Sequence, residues 1–220
     1  MSALRVVGAA AWSSLFLSVA ACSSGDDDRA GPEPSVIYSF EANSAADEVC
    51  DGAITGEAAR GLEALAGGTE FGEMDGLPPA DLPIYAAQFA EPDAFTSVFC
   101  TIYTSQYSSN PFTVLRFSWY EREAGDDTPP EDAWVLYGTG DSAYVDVRAD
   151  AAYIEFHCPV RDSAVYEELH AALTMPNPET ATDPDAMMAV LNSVSSALAG
   201  ELGCPDAGLT AAPPERLPDV

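Results

Sequence analysis

His157 and His170 are the only two side chains of this 220-residue chain whose ordinary pKa lies near neutrality. A histidine acting as a base needs a nucleophile to activate, and the sequence contains no Gly-x-Ser-x-Gly elbow. His157 falls in an alternating stretch with Tyr153 and Glu155, which reads as an exposed strand position rather than a catalytic one. His170 follows Glu167 at the i, i+3 spacing of di-iron carboxylate bundles; those need two such pairs and further glutamates, and one pair is present. With 36 Asp and Glu residues, no two can be singled out as a glycosidase dyad. The eight basic residues are all arginine, namely Arg5, Arg29, Arg60, Arg116, Arg122, Arg148, Arg161 and Arg216. Without lysine there is no phosphate-gripping P-loop, no pyridoxal Schiff base and no Ser-x-x-Lys acylation site. No catalytic residue, metal ligand or cofactor is assigned, and the chain is read as a non-enzyme.

The fifth cysteine points to a different chemistry. Arg5 gives the start of the chain one positive charge, and Val6 to Ala20 is an uncharged, mostly apolar run interrupted by Ser13, Ser14 and Ser18. That is the length and character of a secretory signal, and too short for a stable span of about 20 apolar residues. Its end, Val19-Ala20-Ala21-Cys22, resembles the lipobox of bacterial lipoproteins, which implies cleavage before Cys22 and acylation of its thiol. An ordinary signal peptide with a chance cysteine is the alternative. Two or three acyl chains hold a protein to a bilayer without a second signal, since each buried methylene contributes about 0.8 kcal/mol. The expectation is a protein anchored at the extracytoplasmic face of the cell membrane.

The formal net charge is −28; cleavage removes Arg5 and no acid, leaving −29. That excludes nucleic acid as a partner, and it repels an anionic membrane surface. Residues 22–46, with Asp26-Asp27-Asp28, Pro32 and Pro34, read as a lipidated cysteine followed by an unstructured acidic tether. The Asp triplet lacks the spaced ligands of a calcium loop. Residues 47–204 read as one domain and 205–220 as an unstructured tail.

Within that domain Cys50, Cys100, Cys158 and Cys204 are even in number and contain no Cys-x-x-Cys pair, which favours two disulfides over a metal site in an exported chain. Four cysteines allow three connectivities. Alternation places Val98, Cys100 and Ile102 on one strand face, and Ile154, Phe156 and Cys158 on another. Cys50 and Cys204 flank candidate helices, so Cys50–Cys100 and Cys158–Cys204 are the expected links between helix ends and sheet.

Those helices run from near Thr55 to Gly67-Gly68 with Ile54, Ala58, Leu62 and Leu65 on one stripe, and from Asp183-Pro184 to Gly203. The second stripe is Met187, Val190, Leu191, Val194, Leu198 and Leu202, whose methionine could line a groove but at this spacing reads as core. A third helix is expected near Ala164–Leu173, and a short one around Asp81 to Ala90 in the otherwise Gly- and Pro-rich stretch 69–95. Strands are expected at Val98–Thr104, Phe112–Tyr120, Ala133–Gly138, Ala143–Arg148 and Ala152–Cys158. Connections this short join antiparallel neighbours, giving an α+β sandwich: a meander of about five strands packed against helices.

Opposite the cysteine face lie Tyr103, Arg116, Tyr120, Tyr144, Asp146, Arg148, Tyr153, Glu155 and His157. Tyr and Arg are enriched in binding hot spots, so this surface is the candidate binding face for an envelope protein, glycan or small molecule. The plainer reading is the solvated side of a half-buried sheet. A carboxylate-dependent envelope hydrolase and a lipid or small-molecule carrier with an apolar cavity are the alternative functions.

Asp47-Glu48-Val49-Cys50-Asp51-Gly52, Glu57-Ala58-Ala59-Arg60-Gly61-Leu62-Glu63, Gly67-Gly68-Thr69-Glu70-Phe71, Cys100-Thr101-Ile102-Tyr103, Ile154-Glu155-Phe156-His157-Cys158-Pro159, Val190-Leu191-Asn192-Ser193-Val194-Ser195 and Leu202-Gly203-Cys204 together resemble a family of secreted lipoproteins of streptomycetes and related actinobacteria. The likeness spans most of the mature domain, departs from the family between Phe71 and Cys100, and implies a surface lipoprotein with four paired cysteines but no catalytic assignment.

Overall fold

A computed structural model describes residues 42–73, 80–91, 95–107, 109–120, 133–159, 167–176, 182–204, 206–210 and 212–218, all within one compact unit. The segment read as a signal with a lipidation site, including Cys22, lies outside the described residues. None of the described helices is long and apolar enough to cross a membrane.

Three helices, α1 (Glu57–Ala66), α2 (Leu82–Phe89) and α3 (Pro184–Leu202), pack on one face of a seven-stranded sheet. The strands are β1 (Phe71–Gly72), β2 (Thr96–Thr104), β3 (Thr113–Tyr120), β4 (Trp134–Leu136), β5 (Ser142–Asp146), β6 (Ala151–His157) and β7 (Glu168–Thr174). Their order is β1-β2-β3-β7-β6-β5-β4, and every pairing is antiparallel. The α+β class is as the sequence suggests, but seven strands replace five. The chain crosses from β3 to the far edge and then meanders back, so its last strand lands in the middle.

That last strand is the main correction. Of the stretch Ala164–Leu173, read as a helix, residues 164–166 lie outside the described residues and Glu168 to Leu173 belong to β7. Leu169, Ala171 and Leu173 are fully buried, while Glu168, His170 and Ala172 point the other way, a period of two. The alanines and leucines favour a helix locally, but the slot between β3 and β6 offers hydrogen bonds on both sides and a buried face. Glu167 and His170 therefore do not form a helical ligand pair.

The inner face carries Leu115, Phe117, Ile154, Phe156, Leu169 and Leu173, sealed against α3 residues Met187, Val190, Leu191, Val194 and Leu198. Asp183 caps α3 by accepting from the amides of Asp185 and Ala186, Pro184 opens its first turn, and Gly203 ends it at φ 73°. Leu202 on the expected stripe is only half-buried. The first helix starts at Glu57, two residues after Thr55, and packs on α3 where Gly61 meets the backbone of Ala186. The short α2 is capped by Asp81 and held to the sheet by rings: Phe89 stacks on Trp119 at 5.4 Å, and Tyr85 meets Phe99 edge-on at 5.0 Å.

Phe99 reaches that cluster because β2 bulges. Val98 pairs with Arg116 and Cys100 with Leu115, so Phe99 is the extra residue and both Phe99 and Cys100 face inward. Val98, expected beside Cys100 in the core, is consequently on the outer face and 43% exposed.

The disulfides are Cys50–Cys100 and Cys158–Cys204, as the alternation of strand residues indicates. The first ties a 3-10 turn at Cys50–Gly52 to β2, the second ties the end of β6 to the end of α3.

Two boundaries move outward. Ser44 bridges Phe71 and Ala46 is buried, so 42–46 belong to the domain and not to the tether. The described part of the tail, read as unstructured, is laid along α3 and β4. Leu217 donates its amide to the Leu136 carbonyl, Gly138 donates to Glu215, and the buried Asn192 amide donates to the Thr210 carbonyl at 2.7 Å. Polar partners buried elsewhere in the fold, invisible in the tail's composition, give it these anchors.

Candidate functional site

Four rings stand in a row on the sheet face away from the helices, one from each of four successive strands. Trp134 of β4 stacks on Tyr144 of β5 with centroids 3.8 Å apart and planes 2° from parallel. Tyr144 meets Tyr153 of β6 at 5.0 Å and 33°, and Tyr153 stacks on His170 of β7 at 5.4 Å and 10°. The register explains the row. Tyr144 and Tyr153 are direct cross-strand partners; Trp134 and His170 sit one pair off, on diagonals that long side chains can reach. Opposite Tyr153 on β7 is Ala172, whose methyl leaves room for the neighbouring imidazole.

Tyr144 lies between Trp134 and Tyr153, and Tyr153 between Tyr144 and His170, so both faces of the central pair are occupied by neighbouring rings and the pair presents its edges. Both phenols are held protonated at neutral pH. Burial, then Tyr153, Glu155 and Asp146, push Tyr144 up to about 12; burial and Asp146 raise Tyr153. Burial lowers His170, with Glu155 opposing, so its imidazole is neutral at pH 7.

Carboxylates bracket the central pair. Asp146 is two residues beyond Tyr144 and directly opposite Trp134; Glu155 is two beyond Tyr153 and directly opposite His170 and Ser142. Asp146 also accepts from the amides of Arg148 and Ala149 at 2.9 and 3.2 Å, closing the turn into β6. Further along β6, His157 Nδ1 lies 3.3 Å from Glu168 Oε1, whose other oxygen is buried with no hydrogen-bond partner.

The expected binding face is thus partly assembled. Tyr144, Tyr153, Glu155 and His157 share it with Asp146, and Arg116 lies exposed on β3 across Ala172 from Tyr153. Arg148 does not: it sits in the turn after β5, because the strand ends at Asp146. Tyr103 faces outward opposite Gly72, yet it is buried, and burial raises its pKa, so it is not open to a partner. Tyr120 ends β3 in register with Glu168; its side chain lies outside the described residues. His170 was hidden by the helical reading of its segment. Trp134 was missed although Trp134, Tyr144 and Tyr153 recur on strands expected to be adjacent, which is signal enough to align them.

Elsewhere, Glu73 comes within reach of Cys50 and Cys100, a grouping with metal-ligand chemistry. The two sulfurs are bonded to each other and offer no thiolates. The Glu73 carboxylate instead accepts from the amides of Cys50 and Ala80 at 2.7 and 2.8 Å, fastening the turn to the approach of α2. Asn192 and Ser193 are likewise structural: Ser193 Oγ donates to the Ala53 carbonyl and accepts from the Thr55 amide. No family profile, curated protein or solved structure matches the chain.

Proposed function

We propose that this chain is an exported binding module, tethered by lipid on Cys22 at the outer face of a bacterial membrane, that engages an envelope partner through the ring-bearing face of its sheet. The observation that carries the reading is the row Trp134–Tyr144–Tyr153–His170, an ordered aromatic feature on the side of the sheet that the described helices leave uncovered. Aromatic edges flanked by carboxylates offer hydrogen-bond donors and acceptors on a rigid base, the composition of a recognition surface. The edge-on central pair suits a polypeptide better than a glycan, since sugars stack on open ring faces and both faces of Tyr144 and Tyr153 are taken by neighbouring rings. A filled interior between sheet and α3 supports binding at the surface over carriage within. Two disulfides are compatible with an oxidising compartment.

Two experiments test the reading. Intact mass of natively expressed protein should give a chain beginning at Cys22 with acyl chains attached; an unacylated product ends the anchoring part. Replacing Tyr144 and Tyr153 together by Ala, with the thermal transition still cooperative, should abolish capture of the partner from native membranes. Unchanged capture would remove the face from consideration.

A further inference from the structure

Resting on that reading, we propose that the ring row recognises the cationic side chains of an extended, arginine- or lysine-bearing segment of a partner protein. The geometry has two parts. Asp146 and Glu155 lie at the two ends of the Tyr144–Tyr153 pair, each displaced by two residues along its strand, in opposite directions. At roughly 3.4 Å per residue that separates them by about 13 Å, the distance between alternate outward side chains i and i+4 of an extended peptide. A segment lying along β5 and β6 could set one cation against each carboxylate, with its backbone and intervening side chain over the phenol edges.

The second part is charge. Among the described residues no cation pairs with Asp146 or with Glu155, and the Glu155 side chain has no hydrogen-bond partner. The nearest ring that could carry a positive charge, His170, is neutral where it stands. Arg116 is on the β3 side of Ala172, outside the span between the two acids. The chain as a whole has a formal net charge of −28, which favours cationic partners over anionic ones. Both faces of Tyr144 and Tyr153 are closed by neighbouring rings, so the attraction at this pair is not a cation–π one. It comes from two carboxylates and two phenol oxygens set on paired strands.

The test uses the mature lipidated protein in neutral detergent and a ten-residue peptide of alternating arginine and glycine, with the glutamate–glycine peptide as control. Saturable binding of the basic peptide, weakening with salt, should shift the ring resonances of Tyr144, Tyr153 and His170. Asp146→Asn and Glu155→Gln should each weaken binding about fivefold. Arg116→Ala should leave it unchanged or tighten it. Binding by both acid variants as tight as that of the wild type, or shifts spread equally over Glu57, Glu63 and Glu201 on the helices, overturns the proposal in favour of diffuse charge attraction. If the Tyr144/Tyr153 variant loses its membrane partner while the wild type ignores the basic peptide, the partner is not cationic and the face reading survives. If both measurements are indifferent to the variants, both fall.

Discussion

Asn192 shows how much a single side chain can organise. It is 3% exposed, accepts from Thr139 Oγ1 at 2.6 Å, and donates to the Thr210 carbonyl in the tail. Asn192→Ala leaves the Thr139 hydroxyl without its acceptor and the Thr210 carbonyl with only the longer bond from Ser196 Oγ at 3.4 Å, and should cost about 1–3 kcal/mol in chemical denaturation and increase proteolysis after residue 204. Gly140 is equally exacting. At φ +58° a Cβ would overlap the Glu155 carbonyl, so Gly140→Ala should destabilise by about 1–3 kcal/mol through the β5–β6 hairpin, read as a drop in thermal midpoint. His170 gives a pH signature. Its pKa is lowered in the fold, so between that value and the unfolded value of about 6.5 the unfolded chain binds the extra proton. The stabilisation is complete above about 6.5 and is lost as pH falls through the window. His170→Gln should flatten that part of the stability-versus-pH curve, measured as the difference from wild type between pH 7.5 and 5.5. None of these three roles could be read from residue type alone, because each depends on what the fold brings within 4 Å.

Elements were more legible than sites, and for a physical reason. Strong periodicity with clear punctuation, as in α3 between Asp183-Pro184 and Gly203, specifies an element almost by itself. The strand cysteines were placed by the same alternation, and pairing them with the helix-end cysteines followed from the need to cover one face. Removing either link, for example Cys158→Ser with Cys204→Ser, should cost about 2–4 kcal/mol, since each closes a separation of 50 or 46 residues. Guanidinium denaturation of the double variants checks it. The failures came where two periods fit one segment. In Glu168–Thr174 the apolar residues suit a strand or one helical stripe, and only the vacant position between β3 and β6 decides. The β2 bulge was beyond sequence reading for a similar reason, since one added residue changes the face of everything before it.

At the scale of the whole molecule the tail and the two faces of the sheet belong to one arrangement. Tyr137 donates to Asp185 Oδ1 at 2.6 Å, and Arg216 donates to the same oxygen from Nε and Nη2 at 3.2 and 2.9 Å. Burial alone would raise the Asp185 pKa; the hydrogen bonds from Tyr137 and Arg216 and the arginine charge outweigh it and hold the carboxyl below its usual range. A depressed carboxyl pKa contributes above the unfolded value, near 3.9, and the contribution disappears as pH falls through the folded value. The clasp should therefore be intact at pH 7, and the tail should become protease-sensitive in strong acid. The tail also bridges Tyr137 and bonds the Leu136 carbonyl at the end of edge strand β4, so ending the chain after Cys204 should bare that strand end and promote self-association, measurable by sedimentation. With helices on one face and the tail paired at the end of β4, the ring row is the proposed recognition feature of the other face. A photo-crosslinking phenylalanine analogue placed at Tyr153 in cells, with the same group at Glu201 on the helix side as comparison, tests this most directly. A discrete protein adduct from position 153 and none from 201 is the expected result; no adduct from 153, or the same adducts from both, would contradict it.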